Sequence, residues 1–514
     1  MTRILLCALL VGACSSTTSE QPVAVTIAAI NDFHGNLRPP SEPAVLDGAR
    51  IAAGGSPQLA TLIQSLRLRS PNFAFVSAGD LVGATPLLAA HFEDVPVIES
   101  MNLMGLDYNG VGNHEFDYGI AHLRRLQQGA RFRMLAANVV ETASGKPVFP
   151  PYGIKEYGAV KVAFVGLTLK ATPLIVSARA VSGLEFRDEA DTVNALIPEL
   201  ERQGVRAIVV LIHQGGIASG GPNGCGERSG AIFDLVPRFD KAVRVVVSAH
   251  THQAYICTVG DKLVTSAGSY GRYATEIRLS IQGASLTASA RNHVVRADAP
   301  PDAAQAALVA RYARLAGDLE RIVGRISATL TRQANTDGES PLGRVIADSQ
   351  LAATKHLGAV VAFMNAGGIR APLERKGDGA VTYAEVYAAH PFDNRLITMS
   401  LTGAHIVRLL EQQRGTPLQV SRGFSYAWDP ARPPGERVVA GSVTIDGLAL
   451  RLDATYRVTV NSFNAEGGDG LSVFREGRQR TTGPLSRDAL IQYLSVHSPL
   501  APPEDRRVRR IRTH

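Results

Sequence analysis

VAVTIAAINDFHG, residues 23–35, joins a run of eight mostly apolar residues directly to a polar loop. Similar apolar runs recur along the first half of the chain: FAFVSAG (73–79), RFRMLAA (131–137), KVAFVGL (161–167), RAIVVLI (206–212) and VRVVVSA (243–249). Short, continuously apolar runs are typical of strands that other layers cover on both faces. Residues 22–297 are therefore predicted to form a layered α/β domain.

The sequence changes character after residue 297. Pro300 and Pro301 open a segment rich in Ala, Leu and Arg, which predicts a linker helix over residues 298–330. Beyond it, helical patterns alternate with paired strands, and residues 331–510 are predicted to form a smaller α+β domain. Two domains agree with the length of 514 residues, because single hydrophobic cores stop growing near about 250–300 residues.

Residues 1–20 have the pattern of an export signal. Arg3 precedes an apolar run from Ile4 to Leu10, and small residues follow up to Cys14. Such a segment is too short to span a bilayer. The stretch VGAC, ending at Cys14, resembles a bacterial lipobox, which implies a lipid on that cysteine, attachment to the membrane and a location in the periplasm or at the cell surface. A plain secretory signal with an incidental cysteine is the alternative.

The chain has four cysteines. Cys7 lies in the predicted signal and Cys14 is the predicted lipid site, which leaves Cys225 and Cys257. Two remaining cysteines in an oxidising compartment usually pair, so a Cys225–Cys257 disulfide is predicted. Two buried thiols are the alternative.

The formal net charge of +7 does not indicate binding to a nucleic-acid polymer. Five of the positive charges are arginines near the carboxyl terminus: Arg506, Arg507, Arg509, Arg510 and Arg512. A charge run at a chain end is usually a solvated tail, with contact to lipid headgroups or a partner as the alternative. The remaining composition, 45% apolar and 19% charged, is that of an ordinary globular protein, and a monomer is expected.

Polar residues that can bind metals follow four of the apolar runs and the segment DYNGVG (107–112). They are Asp32, His34, Asp80, Asn113, His213, His250 and His252. Ligand sites in open α/β sheets lie beyond the carboxyl ends of the strands, so these side chains are expected to converge. Oxygen and imidazole ligands suit divalent metals such as zinc or manganese, and this set exceeds what one tetrahedral ion needs. Two ions that share Asp80 are therefore predicted, although a single residue of this kind at a strand end is more often a cap.

The order and type of these motifs resemble a known family. NDFHG (31–35), the Gly-Asp pair ending at Asp80, GNHEFD (112–117), His213 and HTH (250–252) resemble the calcineurin-like metallophosphoesterases, in particular the bacterial 5′-nucleotidases. The resemblance runs from Val23 to about Leu490 and implies a layered β-sandwich flanked by helices, in an enzyme that removes phosphate from nucleotides outside the cytoplasm. It also assigns Asp32, His34, Asp80 and His252 to one metal, and Asp80, Asn113, His213 and His250 to the other.

His114 and Asp117 are the remaining pair in the loop GNHEFDYG (112–119). By resemblance they form a catalytic dyad, in which the imidazolium stabilises or protonates the leaving oxygen. The nearby carboxylate would keep the imidazole protonated and oriented. The alternative is that Asp117 only caps the following helix.

The second domain carries the residues that are expected to bind substrate. NAGGIR, ending at Arg370, places a guanidinium after a Gly turn, and arginine binds phosphate through two parallel hydrogen bonds. NSFNAEGGDGLSVF (461–474) resembles the family's nucleoside-binding segment, which implies that the base stacks on Phe463 and that Asp469 contacts the ribose. A structural Gly turn for Arg370 and core packing for Phe463 are the alternatives.

Two features of the second domain leave the substrate open. Pro417 stands before Leu-Gln-Val where the family usually has a second aromatic residue for the base, and Phe424 or Tyr426 is a candidate replacement. Asn394 and Arg395, in HPFDNRL, are either substrate contacts or parts of a plain turn. A 2′,3′-cyclic nucleotide phosphodiesterase, a nucleotide-sugar hydrolase and, from another class, a nucleotide-binding surface lipoprotein are therefore the alternatives to a 5′-nucleotidase.

Overall fold

The computed structural model describes residues 21–511 except residues 284, 318 and 414. The predicted signal segment, its Cys14 and the terminal Arg512 lie outside the described residues. Within these residues, no helix is both long and apolar enough to cross a bilayer.

Two six-stranded sheets pack face to face in the first domain. The strands of the first sheet, in spatial order, are Ser285–Val294, Tyr273–Gln282, Val23–Ile30, Phe73–Ser77, Tyr108–Gly110 and Arg133–Leu135. Those of the second sheet are Ala254–Val259, Lys262–Ala267, Val243–Val247, Val205–His213, Val160–Thr168 and Tyr152–Tyr157. Each predicted apolar run forms one of these strands, and parallel pairing brings their carboxyl ends to the same edge of each sheet.

The strand Val23–Ile30 shows why these runs are apolar at nearly every position. Val25 and Ile27 pack between the two sheets, whereas Ala28 and Ile30 pack with the helices on the outer face. Because successive side chains of a strand point to opposite faces, a strand between two layers needs apolar residues on both. The prediction of a layered α/β domain is confirmed.

Helices cover the outer face of each sheet. Those beside the first sheet are Ser56–Leu68, Leu87–Ala90, Val95–Met104, Ile120–Gly129 and Ala303–Leu315, and those beside the second are Glu189–Arg202 and Ala231–Leu235. A further short helix, Thr172–Ile175, contacts the second domain. Three small antiparallel strand pairs complete the domain: Ala44–Leu46 with Ala49–Ile51, Val139–Glu141 with Leu184–Phe186, and Ile217–Ala218 with Arg228–Ser229.

The predicted linker helix is wrong in its extent. The helix covers only Ala303–Leu315, and its Leu308 and Tyr312 pack into the core of the first domain. The strand Ile322–Arg325 follows and pairs with Ala380–Thr382 in the second domain. The segment is thus divided between the two domains, because its apolar residues find separate cores.

The second domain is an α+β unit, as predicted. One sheet contains, in order, Gln419–Val420, Val361–Met364, Thr455–Asn461, Arg395–Thr402 and Arg478–Leu485, and the other contains Leu448–Ala449, Thr444–Ile445, Phe424–Trp428 and Val508–Arg510. Its α-helices are Pro341–Thr354, Tyr383–Ala389, Gly403–Glu411, Ser462–Ala465 and Ser486–Val496. Single turns of 3₁₀ helix occur at His114–Phe116 and Val236–Arg238 in the first domain, and at Lys355–Leu357, Ala366–Gly368, Gly468–Gly470 and Ser472–Glu476 in the second.

The prediction of a solvated basic tail is wrong for Arg507 and for the backbone of residues 508–510, although the side chains of Arg506, Arg509 and Arg510 are exposed. Val508–Arg510 is a strand that pairs in parallel with Phe424–Trp428. Arg507 is buried, and its terminal nitrogens donate to both carboxylate oxygens of Asp348 at 2.7 and 2.9 Å. This pairing neutralises the charge, so that the arginine can lie inside the domain.

The predicted disulfide is present. Cys225 and Cys257 are bonded, with their Cα atoms 5.0 Å apart. Cys257 lies in the strand Ala254–Val259, and the bond ties the loop around Cys225 to the edge of the second sheet. The alternative of two buried thiols is excluded.

Candidate active site

The seven predicted metal ligands meet where the strands of both sheets end. Five of them, Asp32, His34, Asp80, Asn113 and His213, are at most 2% exposed. His250 and His252 follow the strand Val243–Val247 and are partly exposed. The parallel strands place their carboxyl ends together, so the expected convergence is observed.

Two triads of these side chains are close enough to hold a metal ion: Asp32, His34 and His252, and Asp32, Asp80 and His213. In the first triad, Nε2 of His252 lies 3.2 Å from Nε2 of His34 and 3.4 Å from Oδ1 of Asp32. In the second, Oδ2 of Asp80 lies 3.0 Å from Nε2 of His213, and it is also 3.5 Å from Nε2 of His34. Both carboxylates therefore contact the space between the triads, and Asp32 is a second candidate for a shared ligand beside Asp80.

The polar atoms of the site fit divalent cations. Among the described residues, Oδ1 of Asn113 is buried and has no hydrogen-bond partner, and Nε2 of His213 faces the carboxylate oxygens of Asp80 and Asp32 at 3.0 and 3.9 Å. The other ring nitrogen of His213 lies 2.9 Å from the Ala78 carbonyl oxygen, and that of His34 lies 2.8 Å from the Gly83 carbonyl oxygen. These contacts orient each imidazole with Nε2 toward the site, as is usual for metal-binding histidines.

The charge of the site also suits cations. Although burial raises it, the histidines His252 and His213 lower the pKa of Asp32 to about 2. The carboxylate is therefore ionised at neutral pH. An ionised, buried carboxylate among imidazoles is a common environment for zinc or manganese.

Five of the candidate ligands have left-handed backbone conformations. They are Asp32, His34, Asp80, His250 and His252, with φ between 45° and 72°. Residues other than glycine rarely adopt this conformation, which costs on the order of 1 kcal/mol or more for each. Strain of this kind clusters at functional sites, and these positions turn each side chain sharply from its strand into the site.

Gly112 has no room for a side chain at this site. A Cβ atom there would lie 2.3 Å from Oδ1 of Asp80 and 2.8 Å from Nδ1 of His213. The glycine at the start of GNHEFDYG therefore permits two candidate ligands to approach the loop.

Glu115 organises the same loop, and the sequence reasoning missed its role. Its buried carboxylate accepts hydrogen bonds from the backbone N–H groups of Asp80, Leu81 and Gly112 at 2.9 to 3.0 Å, and from Nδ2 of Asn109 at 3.1 Å. Burial and the neighbouring Asp80 raise the pKa of Glu115 to about 7. Its position between His114 and Asp117 was the available signal, because an ionised carboxylate offers two acceptor oxygens to the backbone N–H groups of such a loop.

His114 and Asp117 form a hydrogen-bonded pair beside these ligands. Nδ1 of His114 lies 2.8 Å from Oδ2 of Asp117, and the backbone N–H of His114 donates to Oδ1 of Asp80 at 2.9 Å. Burial lowers the pKa of His114, but Asp117 and Asp80 raise it more, so the net shift is upward. The capping alternative for Asp117 is excluded, because Gly119 is the N-cap of the next helix and no side chain caps it.

A cavity of about 520 Å³ opens between the two domains, and we call it the dyad cavity. From the first domain it is lined by Asn113, His114, Asp117 and His250, and from the second by Arg370, Asn394, Phe463 and Asp469. The side chains predicted for chemistry and those predicted for substrate binding therefore face the same space. The helix Thr172–Ile175 meets the turn Gly468–Gly470 beside it.

The substrate-side residues have few other partners. Nη2 of Arg370 lies 3.3 Å from Nε2 of His34, while its Nε is buried without a hydrogen-bond partner among the described residues. Asp469 accepts a hydrogen bond from Nδ2 of Asn365 at 2.7 Å, and Asn394 accepts one from the Ser462 hydroxyl at 3.0 Å. Arg370 thus reaches from the second domain to the metal ligands.

Three of the residues considered for substrate binding do not reach the cavity. Arg395 begins a strand, is exposed and donates to the Gly483 carbonyl oxygen at 3.3 Å, so its prediction as a substrate contact is not supported. Phe424 and Tyr426 are at most 2% exposed within the core of the second domain, so neither replaces the missing aromatic residue. Pro417 is itself buried against Gly338.

Other aromatic side chains line the dyad cavity instead, and the sequence reasoning missed them. They are Tyr118, Tyr387 and Phe392. The ring of Phe392 stacks on that of His114, with 6.1 Å between centroids and 25° between planes. Phe392 lies in HPFDNRL, but its contact with a residue of the other domain leaves no trace in the sequence.

The chain matches two protein families along most of its length. Residues 25–254 match the calcineurin-like phosphoesterases, and residues 319–476 match the 5′-nucleotidase C-terminal domain.

Individual relatives agree with these matches. A Bacillus subtilis protein named endonuclease YhcR is 29% identical over 520 residues, which cover 96% of this chain but only 41% of the relative. The 5′-nucleotidase of Vibrio cholerae is 26% identical, covering 94% of this chain and 92% of that protein. The crystal structure of a 5′-nucleotidase precursor from Thermus thermophilus has a TM-score of 0.83 at 27% identity, covering 96% of this chain and 100% of that chain.

Proposed function

The chain belongs to the 5′-nucleotidase family of metal-dependent phosphoester hydrolases, in which a calcineurin-like phosphoesterase domain precedes a 5′-nucleotidase C-terminal domain, and we propose that it hydrolyses nucleoside 5′-monophosphates. The dyad cavity carries this proposal. Its volume of about 520 Å³ lies within the range of small-molecule sites. One wall offers the candidate metal ligands and the dyad, and the other offers an arginine, an aromatic ring and a carboxylate.

The lining suggests how a nucleotide would lie in the cavity. Its phosphate would contact Asn113 and the guanidinium of Arg370, which forms paired hydrogen bonds with phosphate oxygens. Its base would stack on Phe463, and the ribose hydroxyls would donate to Asp469. In this position the ester oxygen would lie next to His114.

Two divalent ions are proposed as cofactors, with zinc or manganese favoured by the ligand chemistry. The residues that would hold them are Asp32, His34, Asp80, Asn113, His213, His250 and His252. When bound, such ions activate water as a nucleophile and neutralise charge on the phosphoryl group.

Residues of the chain would donate a proton to the leaving oxygen and orient the phosphate. The oxygen of water becomes bonded to phosphorus and releases a proton to the solvent, the bond from phosphorus to the 5′-oxygen breaks, and that oxygen takes up a proton. His114, held protonated by Asp117, is placed to donate it. Arg370 would orient the phosphate during the transfer.

A substrate panel tests the proposal directly. The purified protein, supplied with zinc or manganese, should release phosphate from AMP, and a chelator should abolish the release. Parallel assays with 2′,3′-cyclic AMP and UDP-glucose decide between the related activities, since preference for either would replace the 5′-nucleotidase assignment. Failure to hydrolyse any of the three with metal present would contradict phosphoester hydrolysis of nucleotides.

We also propose that the protein is exported as a monomer and anchored by a lipid on Cys14. The signal pattern of residues 1–20 and the disulfide between Cys225 and Cys257 support export, because disulfides persist in oxidising compartments. In a bacterial host that processes lipoproteins, the wild type should fractionate with membranes and Cys14→Ser should not. Equal fractionation of the two proteins would contradict the anchor.

A further inference from the structure

A second cavity, of about 550 Å³, meets the dyad cavity at His250 and Arg370. Among the described residues, only these two line both spaces. His252, another candidate metal ligand, lines the second cavity alone. The reaction centre is therefore accessible from two directions, and we call the second space the arginine cavity.

The lining of the arginine cavity carries a surplus of positive charge. It contains three arginines, Arg272, Arg332 and Arg370, but a single carboxylate, that of Glu42. The Glu42 carboxylate accepts hydrogen bonds from Nη1 of Arg272 at 3.3 Å and from Nε of Arg332 at 3.1 Å. One carboxylate cannot neutralise three guanidinium groups, so the cavity attracts anions.

Two of these arginines keep donors that no residue uses. Within the described chain, neither terminal nitrogen of Arg332 makes a hydrogen bond, and Nε of Arg370 is buried without a partner. Arg272 differs, because it also donates to the Ser269 carbonyl oxygen and hydroxyl. Unused guanidinium donors in a recess are suited to an acceptor-rich ligand such as phosphate.

The residue types that line the arginine cavity argue against a nucleobase in it. The dyad cavity presents the rings of Tyr118, Tyr387 and Phe463, whereas Tyr273 is the only aromatic residue among the described lining of the arginine cavity. Tyr273 is buried, and its hydroxyl donates to the Val45 carbonyl oxygen at 2.8 Å. The ring is thus held in place, and the remaining surface suits a small, hydrophilic anion.

We propose that the arginine cavity is a second phosphate-binding subsite beside the reaction centre, with Arg332 as its principal ligand. The inference rests on the proposed function, since it takes the dyad cavity as the place of the leaving nucleoside. The phosphate bound in the arginine cavity can come from two sources. The first is the orthophosphate product, which would leave through the arginine cavity while the nucleoside still fills the dyad cavity. The second is a phosphate on the non-leaving side of a phosphodiester substrate.

The second source corresponds to a defined reaction. In the dinucleotide pApA, water would add to the bridging phosphorus, and the bond from phosphorus to the 5′-oxygen of the second nucleoside would break. That oxygen takes a proton, which gives adenosine and adenosine 3′,5′-bisphosphate. The terminal 5′-phosphate of pApA would then lie in the arginine cavity, and the adenine of the same nucleotide would lie outside it, because the cavity has no free aromatic ring for a base.

A binding experiment tests the subsite without turnover. The full protein with manganese is saturated with a non-hydrolysable phosphonate analogue of AMP, and binding of radiolabelled orthophosphate is measured by equilibrium dialysis. One equivalent of orthophosphate should still bind. Arg332→Ala should weaken this binding by about 10-fold or more, because it removes charge-assisted hydrogen bonds to phosphate, and Arg332→Lys should weaken it less.

Arg38→Ala is the control for the loss of a paired arginine near the domain boundary. Arg38 pairs with Glu320, just before the first strand of the second domain, at 3.0 Å but lines neither cavity. This variant should bind orthophosphate as the wild type does. An equal loss in Arg38→Ala and Arg332→Ala would mean that a general loss of arginine charge, not the subsite, was measured, and would overturn the proposal.

A kinetic comparison identifies the source of the phosphate. If substrate phosphate occupies the cavity, kcat/KM for pApA should exceed that for ApA by about 10-fold in the wild type, and Arg332→Ala should remove the preference. Orthophosphate binding without this preference supports the product route. Neither binding nor preference would overturn the proposal, and AMP hydrolysis by the same preparation shows separately whether the proposed function holds.

Discussion

His114 contacts both the candidate metal site and the proposed proton-transfer pair. Its backbone N–H donates to Asp80, a candidate metal ligand, while its ring bonds to Asp117 and stacks on Phe392 of the second domain. The imidazole itself has no ligand role in either metal triad. Its contribution to proton transfer can therefore be separated from metal binding by substitution.

We expect His114→Ala to lower kcat for AMP by about 100-fold or more, because positioned general acids contribute about 10²–10⁴ in rate. Metal content, measured by atomic emission on the purified protein, should stay at the wild-type value. Asp117→Asn, which keeps the size of the side chain but removes the charge that holds the imidazole protonated, should give an intermediate kcat. An unchanged kcat in His114→Ala would exclude the dyad.

Glu115 contributes through the backbone it holds. We expect Glu115→Gln to lower metal affinity by about 10- to 100-fold, as is typical when a group that orients metal ligands is changed. The amide of glutamine has only one acceptor oxygen, whereas the carboxylate uses both oxygens for the backbone N–H groups of Asp80, Leu81 and Gly112. Metal titration of the apoprotein measures the effect. Glu385→Gln, which changes a capping carboxylate of the second domain, is the control. Equal affinities in the two variants would contradict this positioning role.

His390 is expected to make the stability of the protein depend on pH. The residue lies under the turn that carries Arg370, with its ring nitrogens 2.9 Å from the Gly368 carbonyl oxygen and the Ser486 hydroxyl. Burial lowers the pKa of His390 to about 4, whereas an unfolded chain has a histidine pKa of about 6.5. The folded state then binds fewer protons than the unfolded state, so stability is complete above about pH 6.5 and is lost as pH falls toward 4, by about 3 kcal/mol in total.

His390→Gln should remove this part of the pH dependence. The free energy of unfolding is measured between pH 7.5 and 4.5, with a chelator present so that metal release does not contribute. The wild type should lose more stability than the variant over this interval. Parallel curves for the two proteins would show that His390 does not titrate as expected.

At the level of elements, the strands were predictable and the loops that follow them were not. Apolar runs such as residues 23–30 and 206–212 identified buried strands, because both faces of a middle layer need apolar side chains. The left-handed conformations of Asp32 and Asp80 were not predictable, since only a small fraction of aspartates adopt them and the contacts that select these two positions are tertiary. The order of the motifs therefore indicated the ligands, whereas the strained geometry that brings them together required the structure.

The carboxyl-terminal strand shows the limit of reading charge from sequence. A run of arginines predicted a solvated tail, yet Arg507 pairs with Asp348 inside the second domain, and a partner so distant in sequence cannot be recognised from composition. Arg507→Ala should lower the free energy of unfolding by about 3–5 kcal/mol, because it leaves a buried carboxylate without its partner. Denaturant unfolding measures this change.

Arg509→Ala is the control, because Arg509 lies in the same strand but is exposed. Its effect on the free energy of unfolding should remain within about 0.5 kcal/mol. A similar small effect for Arg507→Ala would mean that the buried pair contributes little to stability.

At the level of the whole molecule, the active site depends on how two separate cores are joined. The motifs identified a metal-binding half and a substrate-binding half, but the contact of Arg370 with His34 and that of Phe392 with His114 are distances between domains. Sequence patterns predict the periodicity within a helix or strand, but they do not predict distances between side chains of different domains. The division of the linker segment between the domains was missed for the same reason.

Two fragments of the chain test where the first domain ends and which domain recognises the nucleoside. Residues 21–320 retain the helix Ala303–Leu315, whose Leu308 and Tyr312 are only 6% and 7% exposed, whereas residues 21–297 lack it. Burial of two large side chains contributes at least about 3 kcal/mol, so the longer fragment should unfold at a higher temperature. Equal unfolding temperatures would place the boundary at residue 297 after all.

The longer fragment should also lose recognition of the nucleoside while keeping its metal site. Arg370, Phe463 and Asp469 all lie beyond residue 320, whereas all seven candidate metal ligands precede it. We expect metal binding near that of the full chain, but a kcat/KM for AMP no higher than that for methyl phosphate, because only the second domain offers contacts to base and ribose. If the fragment still prefers AMP, the first domain must recognise the nucleoside. Tyr118 would then be the side chain to examine, because its ring is the one that the first domain contributes to the dyad cavity for stacking on a base.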